Sequence, residues 1–210
     1  METVLLDGKE AARNVRASVK AEVLALKEKG LPAPKLCVII VGEDPASQTY
    51  VANKEKACGW TGISSEIVRM SAETTQEELL AKIRELNEDP SVNGLLVQLP
   101  LPEQIDEQKV ILAIRPDKDV DAFHTVNTGK IMIGNPDFLP CTPAGVMEML
   151  RACDIDCTGK RCVVVGRRID RRIADKRTVR VDVAFRSVID EREVDPIFEN
   201  GRLHRHHGLA

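Results

Sequence analysis

The chain has 210 residues, 43% of them hydrophobic, a formal net charge of −3 and only 3% aromatic residues. This length allows one domain or two small ones with a sizeable aliphatic core, while the charge argues against a nucleic-acid partner and no apolar run approaches the ~20 residues of a membrane span. The opening METVLLDGKEAARNVR is not a secretory signal, because Asp7 and Glu10 follow a very short apolar stretch; the six cysteines, with no CxxC pair, suit a reducing, cytoplasmic setting and no metal site.

In chain order, Ala11, Val15, Val19, Val23 and Leu26 recur at helical spacing and predict an amphipathic helix over 8–30, stopped by Gly30. KLCVIIVG (35–42) is a continuous apolar run, the mark of a strand buried on both faces. Pro45 opens a helix to about Cys58, and 64–70 form a short strand. Thr74, with Glu77 three places on, predicts a capped helix whose apolar face is Leu79, Leu80, Ile83 and Leu86. GLLVQLP (94–100) is a second buried strand, 104–115 a helix, and DKDVDAF (117–123) a charged loop. Thr142 and Pro143 open a helix to about Ala152, and RCVVVG (161–166) is one more buried strand. Alternating strands and helices imply an α/β fold: a parallel or mostly parallel sheet flanked by helices.

The text changes after Gly166. Residues 167–210 hold 11 Lys or Arg against 8 Asp or Glu, a net of +3, which leaves −6 for the first 166. VRVDVAF (179–185) alternates like a strand, and GRLHRHHGLA reads as a frayed terminus. The Arg-rich run at 167–180 lacks the interleaved aromatics of a nucleic-acid surface and reads as solvated charge.

Four positions have chemistry in reach. Tyr50 and Lys54 stand four apart on the second helix and share a face. They are either a surface lysine covering a half-buried tyrosine or a ring and an amine beside a flat ligand. Gln98 lies near the carboxyl end of its strand, where ligands of open α/β sheets collect. It is either a core amide satisfied by backbone or a polar group of a site. Asp117, Asp119 and Asp121 alternate with Lys118 among them, but no glycine at the sixth position and no glutamate at the twelfth make this a calcium loop. They form either a solvated turn or a turn with one aspartate aimed into a cleft. Gly166 follows a strand, where a phosphate-binding turn would begin, but the next glycine is Gly201. His124 reads as structural.

VGEDPASQTYVANKEKA (41–57), NGLLVQLPLPEQID (93–106), PDKDVDAFHTVNTGK (116–130), LPCTPAGVMEML (139–150) and TGKRCVVVGR (158–167) together resemble the bifunctional methylenetetrahydrofolate dehydrogenase/methenyltetrahydrofolate cyclohydrolase family, over about four fifths of the chain. The resemblance implies one-carbon folate metabolism. 5,10-Methylenetetrahydrofolate would be oxidised to the methenyl form, with hydride passing to NADP or NAD, and the methenyl bridge hydrolysed to 10-formyltetrahydrofolate. It implies proton transfer by Lys54 in the YxxxK motif, stacking of Tyr50 on the aminobenzoyl ring, tuning of the lysine by Gln98, and a hydrogen bond from the pterin to Asp121. Val97 and Leu99 would touch the folate, and Gly166 and Arg167 would begin the cofactor turn. It also implies homodimers, formed largely through the nucleotide domain.

On this reading residues 1–145 are a folate-binding catalytic domain, 146–167 the start of a Rossmann-like NAD(P)-binding domain, and 168–210 a divergent basic tail. The family's cofactor turn, GRSxxVGxP, is matched only at Gly166 and Arg167; Arg168 stands in place of the serine. The tail is expected to be an out-of-frame or alternatively spliced end, with dehydrogenase activity severely reduced and hydrolysis the better preserved reaction. The alternative is a catalytically inactive folate binder or a partial partner of a longer protein. Inside the matched region, Ala122 occupies a position that is often glycine in the family.

Overall fold

A computed structural model describes residues 6–157 and, beyond them, the backbone of four short strands within 161–203. The chain divides into two compact units, Met1–Cys141 and Thr142–Ala210.

In the first unit, α1 (Gly8–Glu28) starts at the Asp7 cap, whose carboxylate accepts from the Lys9 amide at 2.8 Å. Strand β1 (Lys35–Val41) follows, then α2 (Pro45–Thr61), opened by Asp44 accepting from the Ser47 amide at 2.7 Å. Proline suits this first turn because its missing N–H has no helical partner there. Strand β2 (Ser64–Met70), α3 (Gln76–Glu88), β3 (Gly94–Val97), α4 (Glu107–Ala113) and α5 (Thr125–Ile133) complete the order, and α6 (Cys141–Ala152) begins at the unit's last residue.

The three strands form a parallel sheet in the order β2-β1-β3. β1 is central, and Cys37 to Val41 are all buried, as a strand covered on both faces requires. Its side chains alternate between two cores. Cys37, Ile39 and Val41 pack with Leu79, Ile83 and Leu86 of α3 and with Val110 of α4. Val38 and Ile40 pack with Val51 of α2 and with Leu96.

The predicted elements form with small shifts. The α3 cap is Thr75 with Glu78, one residue later than the Thr74–Glu77 pair expected, and Thr74 is instead buried. The fourth helix starts at Glu107 rather than 104, because Asp106 captures the amides of Gln108 and Lys109. The strand predicted over 94–100 ends its ladder at Val97. α5 was not anticipated, since Thr, Val, Asn and Gly crowd its first turns and are weak helix formers. His124 caps it by accepting from the Val126 amide at 3.1 Å, a structural role for that histidine.

The second unit contains the rest of α6, a parallel pair β4 (Arg161–Val165) and β5 (Arg180–Ala184), and an antiparallel pair β6 (Phe198–Glu199) and β7 (Arg202–Leu203). The first pair falls on the two runs read as strands. The last sits partly in the stretch read as frayed.

Candidate active site

The site is built at the carboxyl end of the sheet from α2, the segment leaving β3, and the loop before α5. On α2, Ser47, Val51 and Cys58 are buried at 3%, 0% and 7% exposure. Lys54 falls on the same helical stripe, so its side chain is directed towards the sheet and is half-buried rather than solvated. The Ser47 hydroxyl donates to the Leu99 carbonyl at 3.5 Å, tying the start of α2 to the chain leaving β3.

Gln98 is fixed from three sides. Its amide N–H donates to the Ile39 carbonyl of the central strand at 2.8 Å. Its side-chain Nε2 donates to the Leu99 carbonyl at 2.8 Å, and its Oε1 accepts from Lys54 Nζ at 3.0 Å. Backbone thus satisfies one half of the amide, and the other half meets the lysine. Because Nε2 is committed to a carbonyl, Oε1 can only face the ammonium.

Tyr50 is 61% exposed, and its ring centroid lies 6.0 Å from Lys54 Nζ. An open aromatic face beside a cation leaves room for a second flat group to stack. It is not the half-buried ring that the surface-lysine alternative described.

The DKDVDAF loop is mostly not a solvated turn. Of its three aspartates Asp117 alone is exposed, in a two-pronged pair with Arg115 at 2.6 and 2.9 Å. Lys118 is buried and donates to the Leu86 and Asp89 carbonyls at the end of α3. Asp119 is buried at 3% exposure and accepts from the His124 amide at 2.8 Å and from Asn127 Nδ2 at 3.0 Å. Asp121 is half-buried. Burial raises its carboxyl pKa above the ordinary value; the Lys54 charge opposes that rise and the Asp119 charge reinforces it. Cys141, the first residue of α6, is within electrostatic reach of both Asp121 and Lys54. Val97, Leu99, Asp121 and Phe123 line one shallow recess.

The structure thus brings Lys54 and Gln98 into contact, sets Tyr50 beside Lys54, and places Asp121 where it feels the lysine's charge. Gly166 and Arg167, the expected start of a cofactor turn, lie outside the described residues. Among the described residues no cluster of three metal-ligating side chains occurs, and no helix is long and apolar enough to cross a membrane.

The amino-acid pattern of the tetrahydrofolate dehydrogenase/cyclohydrolase catalytic domain matches residues 6–121. The chain belongs to this family. The bifunctional protein FolD of Acetivibrio thermocellus is 59% identical over 167 residues, which cover 80% of this chain and 58% of that protein. FolD of Oceanobacillus iheyensis is 55% identical over 163 residues, 78% of this chain and 57% of that protein. Among solved structures, FolD of Campylobacter jejuni superposes with a TM-score of 0.82 at 42% identity, covering 89% of this chain and 68% of that one. The Trypanosoma brucei dehydrogenase-cyclohydrolase, solved with NADP and an inhibitor, gives 0.81 at 35% identity, covering 88% and 65%. The chain therefore spans a little under three fifths of the length of these curated FolD relatives.

Two residues whose place in the site sequence reasoning passed over are Asp119 and Asn127. Asp119 was grouped with its neighbours as one acidic cluster, and only burial separates it from Asp117. Asn127 carried one faint signal: asparagine is a poor helix former, yet here it sits buried in the first turn of α5.

Proposed function

We propose that residues 1–145 form a folate-binding catalytic domain that hydrolyses 5,10-methenyltetrahydrofolate to 10-formyltetrahydrofolate, with Lys54 as the proton-transfer group. The observation that carries this reading is the Lys54 Nζ to Gln98 Oε1 contact of 3.0 Å beside the open ring of Tyr50. Tyr50 stacks on the aminobenzoyl ring, Asp121 accepts from the pterin edge, and Val97 and Leu99 border the folate.

The chemistry needs few groups. Water adds to the cationic methenyl carbon, and Lys54, acting in its neutral amine form, takes the proton released. The carbinol hydroxyl then gives up its proton and N5 takes one up as the carbon–N5 bond breaks, leaving N–H at N5 and the formyl group on N10. Gln98 holds the amine by its carbonyl oxygen, so that the lysine meets the water in one orientation. The family's other reaction, oxidation of the methylene form with NADP or NAD, is proposed to be strongly reduced here. That reading rests on Arg168, which replaces the serine of the family's cofactor turn. Action in the cytoplasm fits the same reading, as does pairing into homodimers where a nucleotide domain is complete.

The test is hydrolysis of methenyltetrahydrofolate by the 210-residue chain and by Lys54→Ala, with NADP reduction followed in parallel on the methylene form. The expected result is hydrolysis above the buffer rate that falls by roughly 10²–10⁴-fold in the variant, with little NADP reduction by either. Hydrolysis no faster than buffer by the unaltered chain would sink the catalytic reading and leave a folate binder. Binding is best read by calorimetry. Trp60 lies ten residues beyond Tyr50 on α2, ~15 Å along the axis, under Arg16 at 5.1 Å, and is a remote reporter.

A further inference from the structure

We infer that Asn127 is a positioning residue for folate recognition: its buried amide clamps the loop that presents Asp121. The inference rests on the proposed role of Asp121 as the pterin acceptor.

Asn127 is 1% exposed. Its Nδ2 donates to two acceptors in the same loop, the Pro116 carbonyl at 2.8 Å and Asp119 Oδ2 at 3.0 Å. Turning the amide over would set its oxygen against a carbonyl and a carboxylate, so these two acceptors fix its orientation. Among the described residues its Oδ1 has no partner, and the amide is held by its donors alone.

The acceptors bracket the loop. Pro116 is where it begins, and Asp119 is its hub. The same Asp119 oxygen accepts from the His124 amide at 2.8 Å, and the Asp119 carbonyl accepts from the Ala122 amide at 3.2 Å. Residues 120–123 are thus closed into a ring, with Asp121 inside it. Asn127 ties that ring to α5, while the Lys118 carbonyl, accepting from the Leu95 amide at 2.7 Å, ties it to β3. Among the described residues no hydrogen bond of this frame engages the Asp121 carboxylate, which is left to a ligand, while the bonds on either side of it restrain its backbone. An amide NH₂ suits the clamp because one nitrogen must donate twice, to a carbonyl and to a carboxylate.

The experiment measures tetrahydrofolate affinity by calorimetry for the full chain, Asn127→Asp, Asp121→Asn and the double variant, with a thermal melt for each. Asn127→Asp keeps the shape and removes both donors. If it is unfolded at the assay temperature, Asn127→Ser, which retains one donor, takes its place. The expected result is a loss of about tenfold in affinity from the Asn127 variant, the size of one misplaced polar contact, shrinking to less than about twofold in the Asp121→Asn background, where nothing remains to be positioned. An unchanged affinity, or the same loss in both backgrounds, overturns the inference while leaving the site intact. If Asp121→Asn alone does not weaken binding, or if the unaltered chain binds no tetrahydrofolate, the reading of the site fails and the inference falls with it.

Discussion

Lys54 and Gln98 come from different elements, and each leaves the other little choice of partner. Gln98→Leu keeps the volume but removes the acceptor at 3.0 Å. A hydrogen bond to a charged group contributes roughly 1.5–3 kcal/mol, so hydrolysis should fall about 10- to 100-fold with folding intact, as read by initial rates beside a thermal melt. Asp121 gives a prediction in pH. Burial disfavours its charged form, so the native state binds this proton more tightly than the unfolded chain. Stability from the carboxyl is full below its ordinary value of 3.8 and is lost as pH rises through the raised native value. Asp121→Asn should therefore melt higher than the unaltered chain near neutral pH, with the gap closing towards about pH 4. A gap that widens on acidification would contradict it. Ala122, at a position where the family often has glycine, sits at φ 58 with no exposure. Glycine would relieve a left-handed strain of about 1–2 kcal/mol but remove a buried methyl of about 0.8 kcal/mol, which explains why both residues fit.

At the level of elements, α3 shows how a local motif can stabilise without touching the site. Thr75 and Glu78 cap each other's backbone at 3.3 and 2.8 Å, and the hydrogen bonds from Thr75 lower the Glu78 carboxyl pKa. Thr75→Ala should cost about 0.5–2 kcal/mol in chemical denaturation, with hydrolysis unchanged per folded molecule. The contact of β3 with the charged loop behaves differently. A Cβ on Gly94 would lie 2.6 Å from Val120 Cγ1 and 3.3 Å from Leu36 Cδ1. Val120 immediately precedes Asp121, so Gly94→Ala should both destabilise, by about 1–3 kcal/mol as overpacked cores do, and weaken folate binding. Loss of stability with undiminished affinity would show that the loop absorbs the methyl without moving Asp121.

At the largest scale, the first unit's three parallel strands carry two cores, and the proposed site opens at their carboxyl ends. Ile39 of the central strand is fully buried, and its carbonyl also holds Gln98. Ile39→Ala should cost about 2–5 kcal/mol, the largest loss among these substitutions, measurable as a fall in the denaturation midpoint.

The α/β order and the buried strands were legible in the sequence because local pattern decides them: a continuous apolar run for a strand covered on both faces, and apolar recurrence at 3.6 residues for a helix. The pairing of Tyr50 with Lys54 was legible for the same reason, lying within one turn of one helix. The Thr75 cap was misplaced by one residue because Thr74 and Thr75 are equal candidates until one is buried. What only the tertiary structure decided is the contact of Lys54 with Gln98, 44 residues apart, and the fate of each member of the DKDVDAF loop. In sequence Asp117, Asp119 and Asp121 are the same residue at the same spacing. The fold turns one to solvent, one inward to Asn127 and one towards Lys54, because a carboxylate takes its role from the donors and the water within a few ångströms of it, and those are brought together by packing rather than by order along the chain.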